Sequence, residues 1–221
     1  TVSMLFPILV RVLGGWLADV IGQLRVILLG SLTGVLTFAV YALAPSWQAA
    51  LLGPALLAIT MALTFPAFYS YVAERSQEGT RGRAFGIAQT VRNLAWVVSP
   101  PLGGILGQAF GYRVMFVAAS ATFGLAAVIF LILNRTGKSL NLRGQPRLSS
   151  LRASLSQLAG LVLAGGLISW LLLGDAIRDL GVKLSFDLMP VYLSDIGGVS
   201  KQGIGLLDGL YGLVLLAISY P

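Results

Sequence analysis

The sequence predicts an all-α protein, a polytopic bundle of membrane helices, on three observations. Of its 221 residues 57% are hydrophobic and only 10% charged, with a mean hydropathy of +0.87, whereas a soluble domain carries roughly 25% charged residues. Apolar runs recur at about 1–18, 26–44, 49–72, 84–106, 112–133, 168–194 and 203–221, and several reach the ~20 residues a helix needs to cross a bilayer core about 30 Å thick. Between them lie short connections punctuated by Gly, Pro and charge. Helices suit lipid because each satisfies its backbone polar groups within one segment.

The connections set the orientation. The first run leads into a turn at 19–25 that carries Arg25, the third into a loop at 73–83 with Arg75, Arg81 and Arg83, and the fifth into a longer stretch with Arg135, Lys138, Arg143, Arg147 and Arg152. The alternate connections offer only Arg113 and Lys201. An excess of Lys and Arg marks the cytoplasmic side, so loops 19–25, 73–83 and 134–157 are expected inside, in a multi-pass protein of the cell membrane. The stretch from Asn134 to Arg152, rich in Ser, Gly, Pro and basic residues, reads as a linker. The expected organisation is an N-terminal bundle over 1–134, a basic cytoplasmic linker over 135–157 and the start of a second bundle over 158–221. Residues 158–174 are apolar enough to cross, yet 158–195 lacks the turn signals of a hairpin. A single membrane helix ending near Leu193, preceded by an amphipathic segment, is therefore expected. The chain opens at Thr1 inside one apolar run and closes at Tyr220 and Pro221 inside another, as a piece cut within two membrane helices would.

Composition also excludes chemistry. Cys and His are both absent, which removes disulfides, Cys or His metal sites, haem ligation and thiol or imidazole catalysis. No nucleophile and base constellation is visible, so an enzyme is not expected. A Gly-x4-Gly-Lys-Ser/Thr phosphate loop is missing too, and no nucleotide or other cofactor is expected. The net charge of +7 lies in short loops rather than on a soluble domain, a topological charge and not a nucleic-acid surface. The expected partners are the lipid bilayer, a small-molecule substrate, and protons or another coupling ion.

The first inner loop carries the most specific signal. In Gly15-Trp16-Leu17-Ala18-Asp19-Val20-Ile21-Gly22-Gln23-Leu24-Arg25, Gly15 would let one helix end approach a neighbour, Gly22 would permit a tight reversal, and Asp19 at a helix terminus could pair with a cation. A generic tight turn with one solvated Asp is the plainer reading. The segment resembles the Gly-x-Leu-Ala-Asp-Arg-x-Gly-Arg-Arg signature between the second and third helices of the major facilitator superfamily of secondary carriers. Gly15, Leu17, Ala18, Asp19 and Gly22 match; Val20, Gln23 and Leu24 replace basic positions, leaving Arg25 as the basic half. The resemblance implies a conformational latch, with Glu74 as partner for loop basic residues such as Arg25.

A second resemblance lies at Gly86, Ala95, Ser99, Pro100, Gly103 and Gly104, which fall at the spacing of the family's antiporter motif in its fifth helix, with Ala95 and Ser99 in place of two glycines. Physically, Ala95, Ser99, Gly103 and Gly107 form a small-residue stripe for close helix packing, and Pro100 and Pro101 should bend the helix; a Pro-kinked packing helix without a transport role fits equally. The resemblance favours exporters, and extends through Glu74-Arg75, Arg81 to Gly86, Pro190 to Leu193 and Gly203 to Leu207. It covers the second to the eighth helix of the family count, with only the linker unmatched. Where proton-coupled members often carry an Arg in the fourth helix, this chain has Pro54.

Charges inside apolar runs are the remaining candidates, since each costs about 2.5–3.5 kcal/mol at the bilayer centre on insertion scales. Arg92 either faces a central cavity or snorkels to the inner interface, and Arg11 snorkels. Asp175, Asp179, Lys183 and Asp187 recur every four residues and share a helix face. They form either a path in which Asp179 and Asp187 carry protons or cations beside Lys183, or, for Asp175, Arg178 and Asp179, a self-compensated charge ladder. Phe65, Phe68, Tyr69, Tyr71 and Trp96 suit a lipophilic or cationic substrate, though such rings also pack or anchor. The expected function is alternating-access secondary transport, an ion-coupled efflux of small lipophilic or cationic compounds. The alternatives are an importer of a small metabolite or sugar and a non-transporting scaffold or sensor.

Overall fold

The computed structural model describes residues 14–136, 166–186 and 188–219, and every regular element among them is helical. In chain order these are α1 (14–21), α2 (Gln23–Leu43), a single turn α3 (Trp47–Ala50), α4 (Leu52–Arg75), a 3₁₀ turn (Glu78–Thr80), α5 (Arg81–Ala109), α6 (Gly111–Thr136), α7 (Leu167–Phe186), α8 (Met189–Asp195) and α9 (Lys201–Ser219). Of the expected linker, Arg135 and Thr136 close α6; the rest of it, residues 158–165, Arg11 and Asp187 lie outside the described residues.

Two of the reversals rest on glycine. Gly22 has φ 94° between α1 and α2, and Gly111 has φ 82° between α5 and α6, values that a residue with a Cβ rarely adopts. Two backbone bonds hold the first reversal, Gly22 N to Ala18 O and Val26 N to Gly22 O, both 3.1 Å. At α3 the Ser46 hydroxyl caps the turn by accepting from Ala49 N at 3.4 Å.

α2 lies at the centre, against α4 on one side and α6 on the other. Its contact with α4 is made by small residues. Val26 and Ile27 are buried beside Ala18 and Ala67, with Leu63 and Phe68 around them, and Ala62 is buried as well. A Cβ on Gly30 would stand 3.3 Å from Leu63 Cβ and 3.4 Å from Thr60 O, and would also meet the Thr64 hydroxyl. A polar seam crosses this interface: Thr60 Oγ1 lies 3.0 Å from Thr33 Oγ1, which itself donates to Gly30 O at 2.8 Å. Thr33 and Thr60 thus each have an acceptor, as apolar surroundings require, while the buried Thr64 hydroxyl at the same interface has no partner among the described residues. Toward α6 the contact is aromatic. The rings of Phe38 and Phe123 are 5.3 Å apart and those of Tyr41 and Phe116 5.1 Å, with Gly34 beneath Phe123 and Ser120 Oγ donating to Val35 O at 3.1 Å.

Outward faces are apolar, Leu125, Ile132, Val91 and Leu94 among them, the inverse of a soluble protein's surface. Among the described residues, three segments could cross a membrane by length and composition: Gln23–Leu43, Trp47–Arg75 and Gly111–Thr136. α5, at 29 residues, is as long as the longest of these, but its glycines, two prolines and Arg92 dilute its apolar content.

The single helix expected over 168–194 is divided. It runs without a turn from Leu167 to Phe186 and resumes at Met189. Pro190 explains the break: its ring clashes with the carbonyl four residues earlier, that of Phe186, and it has no N–H to bond there.

If the α2–α4 contact depends on glycine at this height, Gly30→Leu in the intact parent costs about 1–3 kcal/mol by overpacking. It lowers the melting temperature in detergent, while Gly124→Ala, whose Cβ meets only Val35 Cγ2 at 4.0 Å, leaves it unchanged.

Candidate functional site

The residues assigned to a latch lie at the end of the bundle that carries the basic loops. Asp19 closes the last turn of α1, and α4 brings Glu74 near enough for its charge to act on Asp19. Partial burial first, and the Glu74 charge second, hold the Asp19 carboxyl above its ordinary value of 3.8. Arg25 is exposed, and no ion pair joins it to Asp19 or Glu74 among the described residues. Glu74 therefore faces a carboxylate where a cation was expected. Gly15 also differs from expectation. A Cβ there would meet nothing within 4 Å, whereas one on Gly14 would run into the Ala62 carbonyl and lie 3.4 Å from Leu63 Cα. The helix phase decides this: Gly14 and the buried Ala18 share the face turned to α4, and Gly15 and Asp19 lie about 100° round the helix from it.

α5 and α9 form the second candidate site, packed along their length. α9 contributes Gly205, Gly209 and Gly212; α5 contributes Trp96, Val97, Pro100, Pro101 and Gly104. The approach is backbone on backbone at Gly205 and Gly212, and at Gly209 the Pro101 ring fills the space a Cβ would take. A Cβ on Gly212 would lie 2.9 Å from both Trp96 O and Val97 Cα, and one on Gly209 3.1 Å from Val97 O. On Gly205 it would meet the Pro100 carbonyl and sit 3.2 Å from Gly104 Cα. The carbonyls involved are informative. In an uninterrupted helix Trp96 O and Val97 O would accept from residues 100 and 101, but both are proline and have no N–H. The glycine Cα–H groups of α9 point at these two freed acceptors, weak bonds worth perhaps 0.5–1 kcal/mol each. At the other end Gln202 N donates to Gln108 Oε1 at 3.0 Å, and Lys201 Nζ sits 3.9 Å above the Tyr112 ring.

This arrangement corrects the expected stripe. Ala95 and Ser99 are exposed, Gly103 and Gly107 face the Met115 sulfur on α6 at 3.8 and 3.7 Å, and Gly86 has open space around it. Of the antiporter-like positions, Pro100 and Gly104 touch α9. α5 passes through both prolines as one helix. Sequence reasoning missed Gly205, Gly209 and Gly212, although their four- and three-residue spacing on an apolar run was a usable signal.

Arg92 stands eleven residues into α5, about 16 Å along it. Its guanidinium lies 4.7 Å from the Phe65 ring and 5.0 Å from the Tyr69 ring of α4. Tyr69 also meets Phe85 at 5.9 Å and Phe68 at 6.0 Å. Of the other proposed cavity aromatics, Phe68 packs on the α2–α4 core, Tyr71 lies under Arg75 at 5.5 Å, and Trp96, one turn beyond Arg92, is 62% exposed.

On α7 the charges pair among themselves. Arg178 lies 2.6 Å from Asp175 and 3.5 Å from Asp179, with all three exposed. Lys183 continues the same helix. α7 reaches α9 through Phe186 and Tyr211, rings 5.4 Å apart.

Two outcomes follow in the intact parent. Gly212→Leu, which would drive a side chain into the Trp96 and Val97 backbone, lowers flux in proteoliposomes by about tenfold or more, while Gly86→Ala leaves it unchanged. Asp19→Asn lowers flux without preventing membrane insertion. It also shifts the pH profile of stability. An acid whose folded pKa is raised adds stability below 3.8 that is lost as pH rises through the folded pKa. Melting temperatures should then favour the variant at neutral pH, by a margin that shrinks on acidification.

The fold has known counterparts. The Major Facilitator Superfamily profile matches residues 1–221. An uncharacterized MFS-type transporter of Salmonella typhimurium is 36% identical over 93 residues, 42% of this chain and 24% of that protein. Another from Bacillus subtilis, YqjV, is 24% identical over 217 residues, 97% of this chain and 52% of that protein. A crystal structure of the peptide transporter POT in complex with alafosfalin superposes with a TM-score of 0.61 at 18% identity, over 96% of this chain and 56% of that one. The chain thus spans about half the length of the relatives it matches throughout. With a family match from its first residue to its last, this helical chain belongs to the Major Facilitator Superfamily.

Proposed function

We propose that the intact parent is a secondary carrier that works by alternating access and exports small lipophilic compounds against an ion gradient. The observation that carries the reading is the α5–α9 contact. It joins helices on either side of the linker segment through backbone and glycine, with few side chains interlocked. Such a surface can slide or rock at low cost, and two helical groups rocking about a central site is how carriers of this kind alternate access. The two helices also meet where Gln202 N donates to Gln108 Oε1. Of the lipophilic and cationic substrates that the sequence suggests, the lipophilic kind fits better, because the charged group on the α4–α5 face is Arg92. The export direction rests on the antiporter-like motif, and the coupling ion on Asp179 and Asp187 beside Lys183.

Proteoliposomes of the full-length parent test this with Nile red as neutral probe and ethidium as cationic probe. A proton gradient should drive Nile red movement. A short thiol cross-linker between Gln108→Cys and Gln202→Cys, in a segment with no native Cys, should arrest it until the link is reduced. Absence of flux for both probes, or flux unaffected by the link, would overturn the reading. Asp187→Asn should abolish the proton dependence, and an unchanged dependence would remove Asp187 from the coupling path.

A further inference from the structure

We propose that Arg92 is an anion-recognition point on the α4–α5 face, and that it takes the carboxylate of a compound with an apolar, aromatic-sized body. The inference rests on the carrier reading above and names the class of its substrate.

Arg92 is held well inside the bundle. Phe65 precedes the end of α4 at Arg75 by ten residues, about 15 Å of helix, so a guanidinium seated over its ring has not snorkelled to the inner interface. The two rings on α4 stand four residues apart and meet the cation through their faces. Rings address the charge but not the five N–H donors, which need oxygen acceptors. Among the described residues Arg92 has no hydrogen-bond acceptor and no carboxylate at ion-pair distance. α5 contains no Asp or Glu from Arg81 to Ala109, and α4 has only Glu74, at its far inner end.

The contrast with Arg178 sharpens the point. Arg178 is 70% exposed, where an unpaired charge costs little, and it has two carboxylates. Arg92 is half-buried, where an unpaired charge costs most, and has none. The missing acceptor is the kind that a ligand supplies.

Geometry narrows the ligand. Aromatic contacts with the guanidinium leave its N–H edge for a planar fork, which matches the two oxygens of a carboxylate. A doubly charged phosphate would call for further cations, and the next ones on α5, Arg81 and Arg83, are nine or more residues away. Trp96 stands one turn beyond Arg92 on the same helix face and is 62% exposed. It offers an apolar plate for the body of a molecule whose carboxylate reaches Arg92.

The test uses the purified full-length parent in phosphatidylcholine liposomes and equilibrium dialysis with 1-naphthoate, its neutral methyl ester and 1-naphthylmethylammonium. Naphthoate should bind about tenfold or more tightly than the other two, the weight of a charge-assisted bidentate contact. Arg92→Gln should bring the ratio to about one, and Arg92→Lys, which keeps the charge but not the fork, should retain part of it. A preference that survives Arg92→Gln overturns the proposal. So does a wild type that does not discriminate, including the case where Arg92→Gln lowers the melting temperature because a carboxylate elsewhere in the parent already pairs with Arg92. Phosphatidylglycerol that erases naphthoate binding in the wild type and is released by Arg92→Gln would identify a lipid headgroup as the occupant, and overturns it too. The two readings fail separately. Nile red flux with an Arg92-independent naphthoate preference sinks this proposal alone; an Arg92-dependent preference without flux of any probe sinks the carrier reading alone.

Discussion

Backbone contact between α5 and α9 is the constraint on which the rest of the molecule turns. Two helices can come this close only where neither presents a side chain, and each meets the requirement differently. α9 omits the side chain, at Gly205, Gly209 and Gly212. α5 keeps large residues at Trp96 and Val97 but turns their backbone to the interface, and its two prolines remove the donors that would otherwise occupy those carbonyls. Pro100 and Pro101 therefore matter for more than shape. They leave two acceptors unoccupied where the neighbouring helix has only Cα–H to offer, which favours contact without locking it. Strong interhelical hydrogen bonds at the same place would tie the two helices in one state.

The α2 packing follows the opposite logic. There the contact with α4 is filled by Ala18, Val26, Ile27 and Ala67 and sealed by the Thr33–Thr60 pair, and the contact with α6 by four aromatic rings. Interlocked side chains and satisfied hydroxyls make an interface that resists sliding. The described helices thus combine two kinds of contact: interlocked side chains where α2 meets α4 and α6, and glycine against backbone where α5 meets α9.

Much of this was legible in the sequence, to the degree that local physics determined it. Helix positions followed from apolar run lengths, and the Gly22 reversal from a glycine between two runs. The break before Met189 was equally local, since Pro190 stands four residues after Phe186, yet continuous apolar character across 168–194 concealed it. Facing was harder. Gly15 and the 95–99–103–107 stripe had the right composition for close packing, but composition does not give helix phase, and the contacts fall one position away, on Gly14 and on the row from Val97 to Gly104. The place of Arg92 was out of reach in the same way. A charge in an apolar run tells that it must be accommodated; only the tertiary arrangement tells that two rings of α4 accommodate it. The pairing expected between Arg25 and Glu74 was a matter of charge sign, and the packing of α4 beside α1 set Glu74 toward Asp19 instead.

α5 makes these separate features one system. Along its length it meets α4 through Phe85 and Arg92, α9 from Trp96 to Gly104, and α6 through Gly103 and Gly107. Arg92 and Trp96 are one turn apart, so the residue that lacks an acceptor and the residue whose carbonyl lacks a donor ride on the same rigid segment. Under the proposed anion recognition, a ligand that draws the Arg92 guanidinium away from Phe65 and Tyr69 would act on the helix whose next turn carries the α9 contact.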